Sequence, residues 1–393
     1  MTASIKPLLK QRIESIDILR GLVMLIMAID HTRDFLHMGH PEPTNLAITT
    51  PILFFTRWIT HFCAPIFVFL SGVSAYLAGT RRTKSQFSAF LIKRGLWLLV
   101  VEFVFITFAI TADPGYHMII FQVIWAIGGS MILLGLLIWL PLPVIGLIGL
   151  IIFFGHNILD LVNVGDIGKT LPWKLLLSAN GFNSITPIGG GRNLLIAYAL
   201  LPWTGVMLIG YVFGSLYSNV YNAAKRRRVL LQAGLFLLVL FVVLRTFNIY
   251  GDPAPWSVQK TTALSIISFF NVTKYPCSLV YLSMTLSVAL ITLSQLEGVK
   301  NKFTRIVIVY GNVPLFYYVC HWYLLMTINI VVFFAQGFKP EDMKNINAIP
   351  PTFGFPLWGV YLTWLLLITI LYLPCRWYSQ YKRTHTQWWL SYL

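Results

Sequence analysis

The segment Ser15-Ile-Asp17-Ile-Leu-Arg20-Gly-Leu-Val-Met-Leu-Ile-Met-Ala-Ile-Asp30-His31-Thr-Arg33-Asp34 places ionisable residues at both ends of an apolar run. Read as a helix at about 100° per residue, Arg20 and His31 differ by only about 20° and stand about 16 Å apart along the axis. Asp34, three residues further on, lies close to the same stripe. Asp17 precedes Arg20 by three residues and is near enough to pair with it. Asp34 is in reach to accept a hydrogen bond from one ring nitrogen of His31, which leaves the other free as a base. A charge at the centre of a bilayer costs at least ~2.5–3.5 kcal/mol, so a functional site is the first reading of such a stripe. Two plainer readings stand beside it. Asp17 and Arg20 form a packing ion pair, and Asp30, His31 and Asp34 meet interfacial water.

Two further segments carry chemistry of the same kind. In Phe55-Thr-Arg57-Trp-Ile-Thr60-His61-Phe-Cys-Ala-Pro65, His61 is expected at the level of His31, with Arg57 one turn away. Pro65 frees a backbone carbonyl, and Ser71, Gly72 and Ser74 allow another helix to approach closely. In Tyr310-Gly-Asn312-Val-Pro-Leu-Phe-Tyr317-Tyr318-Val-Cys-His321 the histidine is expected inside the membrane, where it needs a partner or an aqueous cavity. Lys274, Arg245, Glu102 and Gln122 are other interior polar candidates, whereas His37, His40, His117 and His156 read as loop or interface residues. His31, Asp34, His37 and His61 are the one group that could meet around a metal, but no spacing is diagnostic and no metal is expected. Neither a nucleophile elbow nor a phosphate-cradling loop is present.

These residues need a scaffold, and the composition says which. The 393 residues are 57% hydrophobic, 15% aromatic and only 11% charged, with a mean hydropathy of +0.74. A soluble domain carries about 25% charged residues, so this chain lacks the polar surface to face water all round. Apolar segments of about 20 residues, the length that crosses a bilayer, recur at Ile16–Met38, Arg57–Gly79, Phe87–Thr111, His117–Leu140, Pro143–Leu161, Asn193–Tyr217, Val229–Phe247, Lys274–Leu296, Asn312–Phe334 and Pro356–Trp377. The fold class expected is all-α, a polytopic bundle of about ten spans. Lys302–Phe334 is long for one span, so a short interfacial helix, a break near Gly311–Asn312–Pro314 and then the span are expected there.

The net charge of +16 comes from a few short clusters: Lys6/Lys10/Arg12, Arg81/Arg82/Lys84 with Lys93/Arg94, Lys225–Arg228, Lys300/Lys302/Arg305 and Lys382/Arg383. With ten spans all fall on one side, and the positive-inside rule makes that side, and both termini, cytoplasmic. Clusters so dispersed do not form a nucleic-acid surface. Cys63, Cys277, Cys320 and Cys375 share no metal-type spacing and read as small core residues. No small-residue cleavage site follows the first apolar run, which is therefore expected to be a retained helix. One domain over 1–393 is expected, with 1–15 and 379–393 as cytoplasmic segments.

At this level of detail the chain resembles bacterial membrane proteins related to the catalytic domain of heparan-α-glucosaminide N-acetyltransferase. The residues that carry the resemblance are Ser15 to His31 and Thr60 to Gly72, then Pro202-Trp203-Thr-Gly205, Lys274-Tyr275-Pro276 and Gly311-Asn312-Val-Pro314 through His321. Arg20, ten residues, then His31 is also similar to the Arg/His signature of the wider transmembrane acyltransferases that modify bacterial surface polysaccharides. The resemblance implies acetyl transfer across an inner membrane, from cytoplasmic acetyl-CoA to a sugar or amino-sugar acceptor outside. It gives Arg20, Lys93 and Arg94 the CoA phosphates. It gives His31, with Asp34 and His61, the role of base or acetyl carrier. Asp30, Asn312, His321 and Lys274 would then hold the acceptor or the developing oxyanion. In the mammalian enzyme the catalytic histidine lies in the loop between the first two helices, where this chain offers only His40.

A transporter or permease whose buried charges line a substrate or proton path is the alternative reading. A membrane protein that uses polar residues only to join helices is a third. Small residues on helix faces make a homodimer plausible, with lipid as the surrounding partner.

Overall fold

The computed structural model describes residues 13–162, 164–178, 185–218, 220–343 and 350–391; the cluster Lys6/Lys10/Arg12 lies outside these residues. In chain order the helices are α1 (Glu14–Leu36), α2 (Pro51–Thr60), α3 (Cys63–Gly79), α4 (Lys84–Val100) and α5 (Thr107–Thr111), the last two joined through a π-turn at Val101–Ile106. Strand β1 (Met118–Phe121) precedes α6 (Val123–Leu137), α7 (Leu142–Gly155) and the short α8 (Leu171–Leu176). After β2 (Ile185–Gly189) and β3 (Arg192–Ile196) come α9 (Leu200–Gly214), α10 (Ala223–Phe247), α11 (Thr262–Phe270) and α12 (Leu279–Leu296). The chain continues through α13 (Lys302–Asn312) and α14 (Pro314–Ala335) to α15 (Leu357–Thr384).

Each of the ten expected apolar segments holds a helix. Among the described residues seven helical stretches are long and apolar enough to cross a membrane: Pro51–Gly79, Leu142–Leu161, Leu200–Tyr217, Ala223–Phe247, Leu279–Leu296, Pro314–Ala335 and Leu357–Thr384. Helix α1 has the length but not the composition, because Asp17, Arg20, Asp30, Arg33 and Asp34 interrupt it. The expectation of an all-α chain needs one correction. The runs beginning at His117 and Asn193 start as strands, β1 pairing parallel with β3 and β3 antiparallel with β2. Short apolar runs do not distinguish strand from helix by periodicity, and Gly189, Gly190 and Gly191 (φ +88°, +60° and +72°) supply the left-handed turn between β2 and β3.

Lipid tails are as apolar as leucine, so helices in a membrane associate through close packing and polar contacts rather than through a difference in hydrophobicity. Here small residues set the tightest crossings. A Cβ on Gly311 would run into the backbone carbonyl of Asp17, and one on Gly21 into that of Val307, so α13 lies directly against α1. Gly72 and Gly210 let α3 meet α9 in the same way. The break expected near Gly311–Pro314 falls at Val313 (φ −134°, ψ 50°), between α13 and α14. Helix α1 packs against α2, α3, α12, α13, α14 and α15. That ring of neighbours removes its charged face from lipid, the condition for keeping such residues in a span.

Candidate functional site

Helix α14 runs beside α1 in the same direction, and hydrogen bonds link α1 to α13–α14 at three levels. Near the start, Arg20 Nη1 donates to the Gly311 carbonyl over 3.2 Å. Eleven residues later, Nδ1 of His31 lies 2.7 Å from Nε2 of His321. Beyond that, Asn329 Nδ2 donates to the Phe35 carbonyl over 2.9 Å. Arg20 and His31, which the helical period puts on one face, both meet α13–α14.

At the first contact Arg20 is fully engaged with the bundle. Nη1 also pairs with Asp17 Oδ1 at 3.0 Å, and Nη2 donates to Ser74 Oγ on α3 at 2.8 Å. Its guanidinium thus ties α1 to both α3 and α13. Asn312 is at this level too, buried, with Nδ2 donating to Ser379 Oγ at 3.3 Å. It lies one turn of α14 and more away from His321 and belongs to the Arg20 end. Lys93 is exposed on α4, and Arg94 packs over the Phe90 ring, which Arg82 also covers at 4.2 Å. Helix α4 packs chiefly on α6, whereas Arg20 bonds to α3 and α13.

The second contact gathers residues from three helices, α1, α2 and α14. The His31 ring stacks on Trp322, with centroids 4.0 Å apart and planes 22° from parallel. His321 is fully buried, and its Nδ1 lies 3.3 Å from the Tyr317 carbonyl. Among the described residues His31 Nε2 makes no hydrogen bond. Asp34 does not reach His31: its carboxylate takes Arg33 instead. The long Arg33 side chain also donates to Asp30 Oδ1 at 3.1 Å, while Arg57 Nη1 of α2 donates to Asp30 Oδ2. Asp30 is therefore a buried carboxylate held between two guanidiniums, the paired state that burial demands.

His61 sits where α2 turns into α3. Its Nδ1 donates to the Arg57 carbonyl at 2.8 Å, so its Nε2 is the bare nitrogen. Pro65 has no N–H for the His61 carbonyl four residues back, and that oxygen accepts from Tyr281 OH at 2.8 Å. The expected freed carbonyl is thus taken up by α12. Lys274 rests its ammonium over the rings of Tyr275 (5.0 Å) and Tyr198 (6.0 Å), and its charge bears on Asp30, His31 and His61. Asp30 and Asp34 against Arg33, Arg57 and Lys274 leave a local excess of one positive charge when the histidines are neutral.

Other polar candidates serve the scaffold. Glu102, in the π-turn, accepts from the Gln122 N–H at 2.8 Å at the start of α6. Arg245 donates to the carbonyls of Ala254, Ser268, Phe269 and Asn271 and lies 3.6 Å from Asp252, which folds the segment after α10 around one guanidinium. Two recesses lie elsewhere, one between His156, Asp160, Trp173 and Cys277, the other between Glu14, Ser15, Arg226 and Glu297. Trp322 was not expected at the site. An aromatic next to a membrane histidine reads as an interfacial anchor, and only the partner ring shows otherwise. Among the described residues no group of three or more His, Cys, Asp or Glu is arranged to hold a metal ion.

No curated protein matches the chain significantly. A family comparison does: the catalytic domain of heparan-alpha-glucosaminide N-acetyltransferase matches residues 12–251. That region contains Arg20, Asp30, His31, Asp34, His61, Lys93 and Arg94, while Lys274, Asn312 and His321 lie beyond it. With well over half of its length matched and its apolar helices arranged as described, this chain belongs to the heparan-alpha-glucosaminide N-acetyltransferase catalytic-domain family and is a membrane protein of acetyltransferase type.

Proposed function

We propose that the protein moves an acetyl group from acetyl-CoA on the cytoplasmic side of a bacterial inner membrane to a sugar or amino-sugar acceptor on the other side, with His31 as general base. The observation that carries this reading is the state of His31. Its ring is clamped by His321 and Trp322, and its Nε2 is left without a hydrogen bond among the described residues. In the reaction His31 Nε2 takes the proton of the acceptor N–H or O–H as that atom attacks the thioester carbonyl carbon. The C–S bond then breaks, and the departing thiolate receives the proton from His31. Direct transfer of this kind needs no acetyl-histidine.

The remaining groups take roles by position. Lys274 supplies the excess positive charge for the oxyanion that forms in the transition state. Asp30, held by Arg33 and Arg57, fixes that charge pattern, with Asp34 and His61 on its flanks. At the Arg20 end, Lys93 and Arg94 meet the phosphates of the donor, and Asn312 lies near the donor rather than the acceptor. The clusters Arg81–Arg94, Lys225–Arg228, Lys300–Arg305 and Lys382/Arg383 all fall at that end if ten spans are counted, which makes it, and both termini, cytoplasmic. The single domain works without a metal, and small-residue faces suit a homodimer in the lipid.

The test is transfer from labelled acetyl-CoA to candidate sugars by purified wild type and by His31→Ala. Loss of about 10²–10⁴-fold in kcat with acetyl-CoA binding retained is expected. Undiminished transfer by the variant removes His31 from the reaction, and failure of the wild type to bind acetyl-CoA removes the enzyme reading.

A further inference from the structure

We infer that His321 is the positioning residue of this site: it fixes His31 in the tautomer that carries its proton on Nδ1, which leaves Nε2 as the base. The catalytic consequence rests on the acetyltransferase reading above. The assignment of the protons rests only on geometry.

One atom beside the His321 ring cannot donate. The Tyr317 carbonyl oxygen, 3.3 Å from His321 Nδ1, only accepts, so that nitrogen carries a proton. His321 is fully buried, and the groups around its ring are Tyr317, Tyr318, Trp322 and His31, with no carboxylate among them. An imidazolium there would be a buried charge without an anion, which is costly. The ring is therefore neutral and its Nε2 bare. That bare nitrogen faces His31 Nδ1 at 2.7 Å. Two lone pairs at that separation repel, so His31 Nδ1 carries the hydrogen and donates it. His31 Nε2 is then the unprotonated nitrogen, and it is the one with no hydrogen-bond partner among the described residues.

The order of groups is carbonyl, His321, His31, acceptor. A hydrogen-bonded orienter behind a catalytic histidine sets which nitrogen is basic, and a carboxylate is the usual choice. Here a neutral imidazole does it, with its own proton anchored to the helix backbone. Asp34, the carboxylate nearest in sequence, is occupied by Arg33. Trp322, the next residue along α14, stacks on the His31 ring and sets its plane. Consecutive residues of one turn thus fix both the tautomer and the orientation of the base.

Two measurements test this together. Protein labelled with ¹⁵N-histidine, in nanodiscs, is read by ¹⁵N chemical shift, with the His31 and His321 signals assigned by their loss in His31→Gln and His321→Gln. Both rings are expected protonated on Nδ1 and bare on Nε2, and in His321→Leu the His31 signal is expected to lose that preference. A wild-type His31 protonated on Nε2 overturns the inference whatever the activity. In the transfer assay His321→Leu is expected to lower kcat at least about tenfold with KM for acetyl-CoA unchanged. His321→Gln, whose amide oxygen can accept from His31, is expected to recover part of the loss. Unchanged kcat in the leucine variant, or equal loss in both variants with wild-type melting behaviour, overturns the inference. Correct tautomers in a wild type that transfers no acetyl group would overturn the acetyltransferase reading and leave the proton assignment standing.

Discussion

The hydroxyl of Tyr281 donates to the carbonyl of His61, 2.8 Å away, across the gap between α12 and the turn that joins α2 to α3. Pro65 makes the bond necessary by withholding the N–H that a helix would otherwise offer that oxygen. Tyr281→Phe strands a buried acceptor, which costs about 1–3 kcal/mol. A lowered melting temperature of the detergent-solubilised protein is expected. Melting at the wild-type temperature would show that the oxygen finds another donor.

Asp30 lies between Arg33 and Arg57, so its replacement strands the buried Arg57 and leaves Arg33 with Asp34 alone. Asp30→Asn is expected to cost about 3–5 kcal/mol and to reduce the yield of monodisperse protein. The double variant Asp30→Asn with Arg57→Gln removes one stranded charge and is expected to recover part of that loss, because contacting residues are not additive. Simple addition of the two single effects would argue against the coupling.

Gly311 approaches the backbone of Asp17 too closely to admit a side chain. Gly311→Ala pushes α13 off α1 and weakens the contact between the Gly311 carbonyl and Arg20. Overpacking of this kind costs about 1–3 kcal/mol, read as a lower melting temperature. A variant that melts like the wild type would mean the crossing is looser than the structure shows.

The cations at the Arg20 end should separate by role. Lys93→Ala and Arg94→Ala are expected to weaken acetyl-CoA binding, more so at low salt, where exposed charges are least screened, without altering the melting temperature. Arg20→Ala, which cuts the ties to Ser74 and Gly311, is expected to lower the melting temperature. Calorimetric titration of each variant decides it, and unchanged affinity in both α4 variants would take α4 out of the donor site.

Outside the membrane-spanning segments, the backbone N–H of His117, and after it that of Gly115, hold the Asp113 carboxyl below the ordinary carboxylate range. A carboxyl whose folded pKa is depressed stabilises the fold above its unfolded value, near 3.9, and loses that effect as pH falls through the folded value. The turn 113–117 is therefore expected to keep its amide protection at neutral pH and to lose it in acid. Hydrogen exchange at Gly115 reads this, and Asp113→Asn should remove the pH dependence.

What was legible in the sequence was whatever depends on neighbours along the chain. The helical period alone put Arg20 and His31 on one face, and Gly311-Asn312-Val313-Pro314 marked the break between α13 and α14. The partners across helices were not legible. His31 and His321 are 290 positions apart, and nothing local shows that Arg33 captures Asp34 before His31 can. Asn312 likewise looked close to His321 in sequence, yet the break puts it at the Arg20 level. The small sheet escaped because Met118–Phe121 and Arg192–Ile196 are too short to show a period, and their pairing is long-range.

The central place of α1 has a bearing on how the protein is made. Helix α1 precedes the other helices of the bundle in the chain, and its charged residues make it the least willing of the long helices to partition into lipid alone. The helices that cover its polar face from one side, α13, α14 and α15, come long after it in the chain. The polar face of α1 is therefore covered only once those helices have been made and have packed against it. His31 and His321 meet only after α14 has packed against α1, so a chain that lacks α14 holds no assembled pair.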